Sequence, residues 1–193
     1  MTRVTTAFAA ALALFMPIGR PLLLGLTPVV GIGAGLLTTQ AAFAQTAIEL
    51  FNSGLDKAKS GNLKGAITDW TKAIEIDPKY ADAYYNRGVV KHDLKDYRGA
   101  IADYTKAIKY YPNDLDAGVY DNRGGAKYEL KDYQGAISDY TKAIQINSNY
   151  AKAYTNRGVV LGIVGDLKGS CRDWKKAVDL GDTRPIEWVR NEC

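Results

Sequence analysis

Few side chains in this sequence could do bond chemistry, and they are poorly spaced for it. There is one histidine, His92, and there are two cysteines, Cys171 and Cys193. A thiolate nucleophile needs a nearby histidine, and a zinc or haem site needs several His or Cys ligands at short spacing. His92 lies far along the chain from both cysteines. Four carboxylates recur at regular intervals, Asp69, Asp103, Asp139 and Asp173. Paired carboxylates can serve general acid–base chemistry, but residues repeated in every unit of a periodic sequence usually serve the packing of the units. The Gly31-Ile32-Gly33-Ala34-Gly35 string has the glycines of a phosphate loop. It follows no strand and lacks the rest of a nucleotide fingerprint. The expectation is a protein with no enzymatic activity, no cofactor and no metal.

The elements that carry these residues are set by an internal repeat. Ala66-Ile67-Thr68-Asp69-Trp70-Thr71-Lys72-Ala73-Ile74 recurs at Ala100–Ile108, at Ala136–Ile144 and, decayed, at Ser170–Val178, after 34, 36 and 34 residues. A second word, Asn86-Arg87-Gly88, recurs as Asn122-Arg123-Gly124 and Asn156-Arg157-Gly158; the first copy reads Asn52-Ser53-Gly54. The two additional residues of the third spacing are placed near Gly118-Val119, just before the first helix of that unit. Each unit reads as two amphipathic helices. The second starts after Asn62, Asp96, Asp132 and Asp166, all good N-cap residues. Pro78 and Pro112 follow second helices, where Pro stops a helix. The small Gly54, Gly88, Gly124 and Gly158, with Ala66, Ala100, Ala136 and Ser170, let the two helices approach. Trp70, Tyr104, Tyr140 and Trp174 fill the space beside them.

This pattern resembles the tetratricopeptide repeat family, in a form whose Asn-Arg-Gly and Ala-Ile-x-Asp-Tyr wording is similar to repeat proteins of cyanobacteria and related bacteria. The resemblance runs from about Ala47 to Asp182. It implies an all-α fold, a right-handed α-solenoid of about four helix-turn-helix repeats, here 47–80, 81–114, 117–150 and 151–182. It also implies a concave groove lined by the first helices that receives a peptide or helix of a partner. Residues 183–193 are expected to form a capping helix.

The repeated Asp and Arg invite pairing. Arg is missing only from the first unit, so the expected pairs run from one repeat to the next: Asp69 with Arg87, Asp103 with Arg123, Asp139 with Arg157. Asp173 then falls to Arg190. Cys171 takes an apolar position of the last repeat and Cys193 ends the chain. In an oxidising compartment they are expected to form a disulfide that pins the cap.

Positions that vary between repeats are free to specialise. Tyr85, Val89, His92 and Asp93 share one helix face. The candidate partner-binding groove is Tyr85, Val89, His92, Asp121, Tyr128, Lys152 and Thr155; the alternative is a merely solvated surface. Some relatives grip a carboxylate with Lys, Arg and Asn. Here the recurring Asn52, Asn86, Asn122 and Asn156 are present, but Asp82, Asp93, Asp121 and Glu129 make the face acidic and only Lys152 is basic. A basic or mixed peptide is the expected ligand.

Residues 1–44 hold no Asp, Glu or Lys and only Arg3 and Arg20. Apolar stretches lead to Ala42-Phe43-Ala44, a cleavage signal before Gln45. The expectation is a signal peptide cut after Ala44, with Met1 or Met16 as the start and Arg20 in the basic region. A retained membrane anchor is the alternative, although Pro28 and several glycines interrupt the apolar run. The whole chain carries a net charge of +4, too small and too evenly spread for a nucleic-acid binder. The overall expectation is an exported scaffold in the periplasm, a thylakoid lumen or the medium. It binds a protein or peptide, with no nucleic acid, and no membrane once the signal is cut. The alternatives are a self-associating module and an accessory domain of an enzyme complex.

Overall fold

A computed structural model describes residues 32–111 and 116–193, with side chains from 43 onward. The expected export signal up to residue 31, with its expected start at Met1 or Met16, and Pro112 lie outside the described residues. Among those described there are helices and no strands. They form four antiparallel hairpins: α1 (Ile32–Lys59) with α2 (Leu63–Ile76), α3 (Ala81–Asp93) with α4 (Tyr97–Tyr110), α5 (Ala117–Glu129) with α6 (Tyr133–Ile146), and α7 (Ala151–Ile163) with α8 (Leu167–Asp179). Each second helix packs on the next first helix, and α8 receives the short α9 (Ile186–Glu192). The proposed cleavage point falls within α1. Phe43 is exposed, and the first buried side chain among those described in α1 is Ala47.

One local device closes every hairpin. Asn62, Asp96, Asp132 and Asp166 accept the backbone N–H of Gly65, Gly99, Gly135 and Gly169, capping the second helix. The same residues end the first helix: the Asp96 N–H donates to the Lys91 carbonyl and the Lys95 N–H to that of His92, a Schellman closure repeated in the other hairpins. The residue before each cap has positive φ. It is Gly61 and Gly165 in the outer hairpins, but Lys95 (64°) and Lys131 (62°) in the inner ones.

Within each hairpin a glycine faces an aromatic ring. A Cβ on Gly88 would lie 2.9 Å from Tyr104, and one on Gly124 would lie 2.8 Å from Tyr140. Ala66, Ala100 and Ala136 are fully buried at the crossing. Ser170 takes this place in the last hairpin and donates its hydroxyl to the Gly158 carbonyl, 2.7 Å, so the buried oxygen is satisfied. The two extra residues of the third spacing fall just before the first helix of that unit, as expected, but ahead of Gly118-Val119. Gly118 and Val119 both belong to the first turns of α5, capped by Asp116. The connection before it, 111–116, has the additional length relative to 77–80.

The expected pairing from repeat to repeat is incorrect. Arg87 pairs with Asp103, not Asp69; Arg123 with Asp139, not Asp103; Arg157 with Asp173, not Asp139. Each Asp projects from the second helix onto the first helix of its own hairpin. Asp69 is already held by Lys57 and Ser53, at 2.5 and 2.6 Å. Their hydrogen bonds outweigh its burial and lower its pKa. Lys91 and Lys127 likewise join Asp103 and Asp139. Nor does Arg190 meet Asp173; it pairs with Glu187 at the surface. The link between repeats runs instead through Thr71, Thr105 and Thr141, whose hydroxyls accept from the arginines of the following hairpins.

At the C-terminal end, Cys171 of α8 and Cys193 after α9 are joined by a disulfide, Cα atoms 5.5 Å apart. Trp188 of α9 lies against Trp174, ring centroids 5.1 Å apart.

Candidate functional site

The first helices α3, α5 and α7 run side by side, and the residues between them form a ladder. Asn122 donates to the Tyr85 hydroxyl at 3.0 Å, and Asn156 donates to Asp121 at 2.8 Å. Each asparagine therefore reads the variable residue one repeat earlier. Asn86 turns back to its own Asp82 carbonyl. The equivalent earlier residue is Phe51, whose ring offers no acceptor. Burial raises the pKa of the Tyr85 phenol, with Asp116 adding to the effect. It stays neutral and can act as acceptor and donor together.

Four of the seven candidate residues converge. Val89 and His92 of α3, Asp121 of α5 and Lys152 of α7 line a recess of about 160 Å³, together with Asp93, Tyr104, Asn122, Gly125 and Asn156. Asp121 is fully buried and is held by Lys152 at 2.9 Å, while the lysine itself is half exposed. Tyr85 adjoins the recess through Asn122. The other two candidates lie elsewhere. Tyr128 packs on Tyr133, ring centroids 6.1 Å apart. Thr155 is buried and donates to Asp182 at 2.6 Å, so it anchors the connection to α9. Arg184 bonds the same carboxylate with side chain and backbone. Above all these bonds from Arg184, opposed by burial and reinforced by Thr155, hold the Asp182 pKa far below the usual carboxylate range.

Gly125 opens the recess. Its register carries Leu55, Val89 and Val159 in the other repeats. A Cβ there would meet nothing nearer than His92 and Tyr140, both at 3.9 Å. That break in an apolar series is the signal in the sequence that marks the spot. Tyr111, just after α4, gave no such signal. It donates to Asp82 at 2.6 Å along the same face. Its own pKa is raised, first by burial and then by that bond. Among the described residues no group of His, Cys, Asp and Glu is arranged to hold a metal ion.

These features define a helical-hairpin solenoid whose repeated residues serve the stack and whose variable ones gather along the first helices. A family model described as "TPR repeat" matches residues 54–95 and 124–162, and one described as "Tetratricopeptide repeat" matches 81–114. The chain belongs to the tetratricopeptide repeat family. Solved structures share the fold. The MamA protein is 24% identical with a TM-score of 0.67, covering 70% of this chain and 73% of its own. YrrB, described as a TPR protein with an unusual peptide-binding site, is 20% identical with a TM-score of 0.65, covering 76% and 80%. PilF of Pseudomonas aeruginosa is 27% identical with a TM-score of 0.64, covering 78% and 67%. No curated protein matches the chain.

Proposed function

We propose that this protein is an exported, non-catalytic adaptor that binds a peptide or helix of a protein partner on the face of α3, α5 and α7. The observation that carries the reading is the recess over Gly125. Much of its lining, His92, Asp93, Asp121, Gly125 and Lys152, differs from the equivalent residues of the other repeats, whereas Tyr104, Asn122 and Asn156 recur. Family membership supports protein binding, and YrrB, a chain of the same fold, has a peptide-binding site. The Asp93 carboxylate beside the recess favours a basic or mixed segment, whereas Asp121 is buried and already paired with Lys152. Envelope or membrane-complex assembly is the setting we propose. The apolar, acid-free first 44 residues, read as an export signal, and the Cys171–Cys193 disulfide support a compartment outside the cytoplasm.

The partner test compares the wild-type chain with Val89→Glu, which puts charge at the recess mouth; because Val89 also packs against the core around Tyr104, an unchanged helical circular dichroism signal and thermal midpoint are required of the variant first. Capture from the exported fraction should lose specific proteins in the variant. Identical captures by both chains refute the face. Export is tested on the mature N-terminus, expected at Gln45; a chain that retains residues 1–44 refutes it.

A second reading, self-association, is favoured by an apolar cleft at the other end, lined by Phe43, Ala47, Ile48, Ile76 and Tyr80. Light scattering separates the two readings: a monomer at working concentration excludes self-association.

A further inference from the structure

The fourth repeat departs from the others where stacking gives no reason for it. In the inner repeats an aromatic pair closes the hairpin end. His92 meets Tyr97 with centroids 5.2 Å apart, and Tyr128 meets Tyr133. The fourth repeat has Gly162 and Leu167 in those registers, and the pair is gone. A Cβ on Gly162 would make only ordinary contacts, with Ser170 at 3.4 Å and Trp174 at 4.0 Å. The space stands open as a groove of about 410 Å³, walled by Val159, Ile163, Leu167, Trp174 and Trp188.

Its neighbours have also changed character. Ile163 stands where the earlier repeats carry Lys59, Asp93 and Glu129, and Leu161 where they carry Lys57, Lys91 and Lys127. Leu167 is 61% exposed, Ile163 47% and Trp188 39%. A cluster of large exposed apolar side chains around a concave site is the usual mark of an interface.

The rim supplies charge. Lys168, Arg172, Lys175 and Lys176 of α8 are exposed, and none makes an ion pair among the described residues. They line a second hollow that shares Leu167, Cys171 and Glu192 with the apolar groove. Lys168, Arg172 and Lys175 fall on one helix face, spaced i, i+4, i+7. The acids on that hollow are Asp179 and Glu192, so the basic residues outnumber them. The disulfide fixes the wall that the two hollows share.

We infer that this C-terminal groove is a second docking site, for an amphipathic segment of a partner protein. A bulky apolar side chain of the segment enters beside Gly162, and its acidic residues lie over Lys168, Arg172 and Lys175. A concave groove suits an inserted side chain better than a flat lipid surface does. The site is separate from the recess over Gly125 and faces the opposite charge type.

The test uses the disulfide-bonded chain and a labelled amphipathic helical peptide of Leu, Phe and Glu, with a Lys-for-Glu version as control. The acidic peptide should bind better than its basic counterpart, and salt should weaken it. Gly162→Tyr, which refills the groove, should weaken binding by about tenfold or more. Leu167→Glu, a change at an exposed position that cannot disturb the core, should do the same. Val89→Glu should leave this binding unchanged. Equal binding of both peptides, or full binding by both groove variants, overturns the site. Loss of binding in Val89→Glu places the peptide in the central recess and also overturns it. So does binding of the chain to phosphatidylglycerol vesicles that Leu167→Glu abolishes while peptide binding is absent.

Discussion

Arg87 on α3 grips both carboxylate oxygens of Asp103 on α4, at 2.9 and 2.7 Å, and gives its remaining nitrogen to the Thr71 hydroxyl of the preceding hairpin. One side chain thus fixes its own hairpin and its register on the hairpin before. The unit recurs as Arg123 with Asp139 and Thr105, and as Arg157 with Asp173 and Thr141. The first hairpin has no described hairpin before it to reach, and Ser53 replaces the arginine there.

Removing Arg87 leaves Asp103 buried with Lys91 alone. Arg87→Met should therefore destabilise the chain by about 3 kcal/mol, the lower end for a broken buried pair. Thr71→Val removes a single hydrogen bond and should cost about 1 kcal/mol. The double variant should lose less than the sum, because the threonine acts only through the arginine. Urea unfolding of the four chains measures the cycle; strict additivity would contradict the bridging role.

Gly124 and Gly125 are neighbours on α5 with opposite surroundings. A methyl group on Gly124 would press into the Tyr140 ring at 2.8 Å. Gly124→Ala should cost about 2 kcal/mol through forced repacking. Gly125 faces open space, so Gly125→Ala should gain helix propensity, up to about 1 kcal/mol. Thermal midpoints should move in opposite directions. Two shifts of the same sign would show that the recess is not open.

The stack was largely legible because its determinants are local and repeated. The capping Asp or Asn, the small residue and the aromatic each recur at fixed register, and all four hairpins use them. The partners of Asp69, Asp103 and Asp139 were not legible. A repeat tells which residues recur, not which of two equally spaced neighbours a side chain faces, and that depends on the direction in which the second helix presents its Asp. Thr155 looked like a groove residue because it varies, yet it varies to meet Asp182. The left-handed turn at Lys95 and Lys131 also passes unseen, because the sequence shows glycine there only in Gly61 and Gly165.

Asp182 makes the joint before α9 sensitive to acid. Its pKa is lowered in the folded chain, chiefly by Arg184, from an unfolded value of about 3.9. The stabilisation is therefore fully present above about pH 4 and is lost as pH falls further, towards the folded value. Arg184 is half exposed, which reduces the worth of the pair to about 1 kcal/mol. Asp182→Asn should lower the thermal midpoint at pH 7 and flatten its decline below about pH 4. Parallel pH profiles for the two chains would rule out this residue as a source of the acid slope.

The disulfide between Cys171 and Cys193 spans 22 residues. Constraining a loop of that size in the unfolded chain is worth about 3 kcal/mol. Its effect should be local first. No residue within α9 is buried, so its packing rests on the buried Pro185 just before it and on Trp188 against Trp174. The double Cys171→Ser, Cys193→Ser variant should lose hydrogen-exchange protection across α9 before α3 to α6 change, since the inner hairpins carry their own capping and ion-pair devices. Titration of the denatured, unreduced wild-type chain should find no free thiol. Two free thiols would remove the bond, and unchanged protection of α9 in the variant would show that the tryptophan contact suffices without it.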